Sequence, residues 1–205
     1  MLDLLRGSKE KEMTRNAGVS SESDNPAGAV FRDALQGLQR GDFSRLNPLF
    51  ESRDGETPLI LQWEQAGLFS GHEEELAEAL TCASFNGAVQ VAEHLLKLGV
   101  QPSGGARTGL NAIHWAANRG QLEAVRLLIR YKVPLETRSM YGATALGAAV
   151  HAAIHEVRTP HHHAIIKELI AAGADISEAG YPTGDEAIDS LLRSHGAKAE
   201  DSHTG

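Results

Sequence analysis

Residues 109–120 read Gly109-Leu110-Asn111-Ala112-Ile113-His114-Trp115-Ala116-Ala117-Asn118-Arg119-Gly120. A glycine-opened turn leads into a short alanine-rich segment closed by a second glycine. Ala124-Val125-Arg126-Leu127-Leu128-Ile129 comes next, with apolar residues at helical spacing. The pattern recurs in both directions. Ala79, Ala112 and Ala145 lie 33 residues apart, and Leu80, Ile113 and Leu146 keep the same step. Gly87 with Gly120, and Gly109 with Gly142, keep it again. Small Ala116, Ala117, Ala148 and Ala149 let helices of neighbouring units approach closely, and Gly87 and Gly120 suit the left-handed end of a helix. A unit of two short helices cannot bury its own apolar face, so the pattern predicts a stack of at least three.

A 33-residue step with these letters resembles the ankyrin repeat, a β-turn followed by two helices carrying a Thr-Pro-Leu-His motif. The best copy keeps Gly109, the Ile113-His114 pair, Ala116-Ala117 and Gly120. It departs at Asn111 and Ala112, where the family has Thr-Pro, and at Lys132, where it has Gly. The copy before it keeps Leu80, Ala83, Gly87, Leu95-Leu96 and Gly99; the copy after it keeps Gly142, Thr144, Leu146 and Gly173-Ala174 but has Gly147 in place of the histidine. The resemblance spans about residues 75–197. It implies an all-α repeat fold, an ankyrin solenoid of helix-turn-helix units with short β-turn or hairpin connections. It also implies a non-enzymatic protein–protein interaction module that binds through a concave surface, and a structural His114 that ties neighbouring units through a backbone hydrogen bond. Gly147 removes the usual partner of Thr144. Carried over position by position, the protein-binding residues are Phe85, Arg107, Leu110, Asn118, Arg119, Arg138, Met140, Tyr141 and His151, with Asn86, Thr108 and Ala143 beside them. Arg107, Arg119 and Arg138 imply a locally basic face and a partner with an acidic patch. Trp115 stands for a packing leucine and is expected in the core.

The third copy carries eight extra residues near 151–160. Val150, Ala153, Ile154 and Val157 recur at i, i+3, i+4 and i+7, so most of the insertion is expected to lengthen the first helix, which ends before Pro160. The predicted organisation is a disordered tail over 1–24, a divergent helical cap over 25–72, repeats over 73–183 (about 76–106, 107–138 and 139–178), a capping helix over 184–197 and a second disordered tail over 198–205. In the cap, Asn25-Pro26 marks a helix start with Phe31, Ala34 and Leu35 on one face. Phe43 to Leu46 opens a second helix ended at Pro48, residues 58–66 form a third, and Ser70-Gly71-His72-Glu73 fits a capping box.

Composition narrows the function. Among 205 residues Lys and Arg number 19 and Asp and Glu 27, a net charge of −8, without the basic footprint of a nucleic-acid binder. No run is long and apolar enough for a membrane span, and the interrupted Met1–Leu5 segment does not read as a secretory leader. A cytoplasmic monomer without cofactor is expected. The single cysteine, Cys82, excludes an internal disulfide and a Cys-rich zinc site; it reads as a small packing residue. Glu73, Glu74, Glu75 and Glu78 read as a solvated helix N-terminus. The alternative to a binding module is a metal-binding sensor or small enzyme built on the His-rich insertion. His151 and His155 are one helical turn apart, and His161-His162-His163 lie just beyond. Three consecutive helical residues point about 100° apart, however, and His163 falls on an apolar packing position.

Overall fold

The computed structural model describes residues 26–40, 42, 44–52, 54–103, 110–156 and 159–198. Both expected tails up to 24 and from 199, with Asn25, Phe43, Arg107, Thr108, Gly109 and Val157, lie outside the described residues. Among the described residues there are ten α-helices and no strand. The repeat pairs are α4 (Glu73–Asn86) with α5 (Val89–Lys97), α6 (Ala112–Asn118) with α7 (Leu122–Arg130), and α8 (Ala145–His155) with α9 (His162–Ala171). The first helices pack in a row, α4 on α6 on α8, and the second helices form a parallel row, α5 on α7 on α9. The 33-residue step is what aligns them. Ala79, Leu80 and Ala83, then Ala112, Ile113 and Ala116, then Ala145, Leu146 and Ala149 occupy matching positions, and none has any exposed surface. The alanines set the helix separation while the leucine or isoleucine fills the space between, the close packing a continuous core requires.

Backbone bonds finish each unit in the same way. Gly99, Lys132 and Gly173 all adopt left-handed backbone, with φ of 85°, 56° and 96°. Behind each, the next residue's N–H reaches the carbonyl five residues back: Val100 to Leu95 at 3.1 Å, Val133 to Leu128 at 3.2 Å, Ala174 to Leu169 at 3.0 Å. Of the three, only Lys132 does this with a side chain. Across units, the Gln121 side-chain amide donates to the Phe85 carbonyl at 3.1 Å, and His162 Nε2–H donates to the Asn118 carbonyl at 3.0 Å. Phe85 and Asn118 are one 33-residue step apart, so these are the same bond in successive units. His162 Nδ1 accepts from the Thr159 N–H at 3.0 Å, which fixes the tautomer. His114 Nε2–H similarly donates to the Ala143 carbonyl at 3.1 Å. Burial lowers the His114 pKa below its ordinary value, against the backbone carbonyls of Thr137 and Ala143 that pull it upward.

With the eight-residue insertion allowed for, His162 holds the position of Gln121 and His163 that of Leu122. His162 is buried, and His163, expected on a packing position, is exposed. Part of the insertion is helical: α8 has 11 residues against 7 in α6, four more. Gly147 owes its place to a close neighbour. A Cβ there would lie 3.0 Å from the Glu178 carbonyl, because the one-turn 3-10 helix Ile176–Ala179 packs on α8. Thr144 caps α8 by accepting from the Gly147 N–H at 3.3 Å.

The N-terminal helices are α1 (Pro26–Gln39), α2 (Asn47–Phe50) and α3 (Leu59–Gln65). Phe31, Leu46, Phe50, Ile60 and Phe69 form their core, and the Phe31 ring meets Phe50 and Phe69 edge-on at 6.4 Å each. Three expectations need correction here. Pro48 does not end a helix; it lies in the first turn of α2, where the missing N–H has no partner to lose. Helix α4 starts from His72 without a side-chain cap, so Ser70 forms no capping box. Glu75 and Glu78 are buried rather than solvated, Glu75 because it accepts a 3.0 Å bond from Arg32 on α1. At the other end, α10 (Glu186–Ser194) buries Ile188 and Leu192 and turns its remaining face to water. Asp185 caps it by accepting from the Ala187 and Ile188 N–H groups at 3.0 and 3.1 Å.

Substitutions at these bonds have definite expected outcomes. Left-handed backbone disfavours a residue with a Cβ, so Lys132→Gly should raise stability by about 0.5–1 kcal/mol in urea unfolding. Gly173→Ala, where an added methyl meets nothing within 4 Å, should cost about 1 kcal/mol through the backbone alone. His162→Ala strands the Thr159 N–H and the Asn118 carbonyl and should cost about 1–3 kcal/mol. His162→Gln should recover part of that loss in the same measurement, because glutamine makes the equivalent bond at position 121.

Candidate functional site

One face of the first-helix row holds an open groove of about 1240 Å³. Its floor is built by the same periodicity as the core. Trp115 and Ala148 of one 33-residue series line it, as do Phe85, Asn118 and His151 of another. Trp115 packs against the edge of the core. It is half-buried and meets the Phe85 ring edge-on at 4.9 Å. This corrects the expectation of a core tryptophan. Phe85 is corrected in the opposite sense: it is 4% exposed, covered by Trp115 and by the Arg119 guanidinium, which lies 4.8 Å above its ring.

One wall is the turn between units two and three. The Ser139 N–H donates to the Ala143 carbonyl at 2.8 Å, and Gly142 closes the turn with its N–H on the Ser139 carbonyl at 2.9 Å. Met140 and Tyr141 project from its tip, 67% and 77% exposed. The opposite wall is α8, whose extra turn adds Ile154 and His155 to His151 and Val150. The His151 and His155 rings face one another at 4.9 Å. Glu156, just past the helix, accepts from the Asn118 amide at 3.1 and 3.2 Å and lies 3.6 Å from His151 Nδ1.

Of the residues expected to meet a partner, Phe85, Leu110, Asn118, Arg119, Met140, Tyr141 and His151 line this one groove. Arg107 lies outside the described residues. Arg138 does not line it. Its guanidinium donates to both oxygens of Glu178 at 2.6 and 2.9 Å and to the Gly142 carbonyl at 2.7 Å, so it braces the turn from behind. The expected basic face is corrected accordingly: the charge of Arg138 is matched by Glu178, and Glu156 brings a second carboxylate to the groove. Ile154, His155 and Glu156 were missed as surface residues. The apolar spacing of the insertion showed a helix but not that its last turn would overhang the groove.

Cys82 is fully buried, and burial, with Glu78 nearby, pushes its thiol well above the usual range, away from the thiolate a nucleophile needs. Among the described residues no group of three or more His, Cys, Asp or Glu side chains is placed to hold a metal ion. His162 is turned inward to Asn118 while His161 and His163 are exposed. No described helix is long and apolar enough to cross a membrane.

Comparison with known proteins agrees with the stacking geometry. The model of the ankyrin-repeat family matches residues 79–179 in three copies, and this stretch is an array of ankyrin repeats. No curated protein matches it at a significant level. Ankyrin repeats are generally protein–protein interaction modules, and the family is typically non-enzymatic.

Since Arg138 holds the Met140–Tyr141 turn by its carbonyl and by Glu178, Arg138→Ala should speed amide hydrogen exchange over 139–143. The global stability change should stay within about 1 kcal/mol, as for an exposed ion pair.

Proposed function

We propose that this chain is a non-enzymatic interaction module that acts as a monomer and binds a partner protein in the concave groove. The observation that carries the reading is the pair Met140 and Tyr141. Two large side chains are held 67% and 77% exposed on a braced turn that lines an open groove. Large apolar and aromatic side chains displayed on a fixed scaffold are what interfaces use as anchors. The partner presents an acidic patch to Arg119, which is exposed beside that anchor. Association should weaken as salt rises.

The test is affinity capture from lysate of the source cells, comparing the wild-type chain with an Arg119→Ala/Tyr141→Ala variant of matching circular dichroism. A protein retained by the wild type and lost from the variant is the expected result. Equal retention by both would remove the groove from the interaction. Failure to retain any protein, together with a large zinc-induced rise in melting temperature, would transfer the function to His151 and His155.

A further inference from the structure

We infer that Arg130, Tyr131 and Lys132, with Leu98 of the preceding unit, form a second interaction surface, which takes a short acidic segment of a partner protein. None of the four lines the groove, so this surface is additional to the one proposed above. Leu98 and Tyr131 hold the same position in successive units, 33 residues apart, each just past the end of a second helix. Helix α5 packs on α7, which makes the two helix ends neighbours. Leu98 is 52% exposed and Tyr131 38%.

Lys132 is the anomaly in this row. It takes left-handed backbone at φ 56°, where the units on either side have Gly99 and Gly173. A Cβ disfavours that conformation, and such strain collects at functional sites. Nothing within the described residues offsets it through the side chain. The exposed Lys132 ammonium makes no hydrogen bond or ion pair there, and neither does the exposed Arg130 guanidinium. The other Lys and Arg side chains of these two helices are engaged. Lys97 lies 3.2 Å from Glu93, and Arg126 reaches Glu123 and Glu168 at 2.7 and 2.8 Å. A cation does suit the negative end of a helix, but Arg130 in the last turn of α7 already supplies one.

Charge and exposure define the occupant. Two unpaired cations two residues apart match two carboxylates, and the Tyr131 ring with Leu98 matches an apolar side chain between them. A net charge of −8 opposes the approach of an extended polyanion, whether nucleic acid or anionic lipid surface. At physiological salt, charges act over about 8 Å, so the local pair governs a short occupant. An acidic segment of a protein meets both conditions.

The probe is a set of labelled peptides of equal length, each with a central leucine flanked on both sides by Glu, Gln or Lys. Each is titrated with the full chain by fluorescence anisotropy. The Glu peptide should bind about tenfold more tightly than the Gln peptide, the range of two exposed charge pairs, and the Lys peptide least. Lys132→Gly should cut that preference to about threefold while raising the urea midpoint, so the loss cannot come from unfolding. Arg130→Gln should cut it similarly, and the double variant should abolish it. Tyr131→Ala should weaken the Glu and Gln peptides alike. Arg119→Gln, in the groove, should leave the preference intact, which separates this surface from the one proposed above. Equal affinity for the Glu and Gln peptides, a preference that survives in the double variant, or one lost with Arg119→Gln would overturn the inference. Absence of peptide binding would also overturn it, as would binding to phosphatidylserine vesicles that Lys132→Gly abolishes, which would make the ligand a lipid surface.

Discussion

The carbonyl near the end of the first helix is met by a side chain from the next unit at both junctions between repeats. Gln121 reaches Phe85, and His162 reaches Asn118. Everything else in the array is organised around that dependence. A short helix leaves polar backbone exposed at its end, and burying that end is tolerable only if a donor arrives from outside. The donor arrives with the second helix of the following pair, so helix stacking and backbone satisfaction are achieved by one contact. His114 adds a bond in the same direction, from a first helix to the Ala143 carbonyl of the turn ahead. The fully buried alanines make the approach possible, and these bonds fix its register.

The concave face inherits its properties from this stack. Residues at one step share a position but differ in size: in the groove, bulky Trp115 stands one step before small Ala148. With Phe85 it makes a local aromatic floor. The charges are managed at the edges. Arg138 serves the turn and Glu178, while Arg119 lies on Phe85. The surface residues thus divide into those that build the wall and those that face across it.

The fold was legible because the 33-residue step is carried by residues with no exposed surface, whose identities packing dictates. The N-terminal helices were less legible because they answer to a local phenylalanine cluster and not to the step. Pro48 and Ser70 offered signals that fit either end of a helix. At the groove, Asn118, Arg119, Met140, Tyr141 and His151 could be placed from their position in the unit alone. Three roles could not. Arg138 is matched by Glu178, forty residues on. Trp115 takes the place of a packing leucine yet is only half-buried, packed on the edge of the core and lining the groove. His162 is buried because it occupies the Gln121 position, and the eight-residue insertion hides that equivalence in the sequence.

That insertion leaves the stacking register unchanged. Helix α9 packs on α7 as α7 packs on α5, and His162 restores the bond to the preceding unit despite the longer path to reach it. Length has been added at a point where the array is mechanically indifferent to it. The insertion is in effect an expansion joint: α8 carries the added length while the stacked rows keep their spacing. Depth of the cleft and integrity of the stack are therefore independent variables in this molecule, and a change of ligand need not be a change of fold.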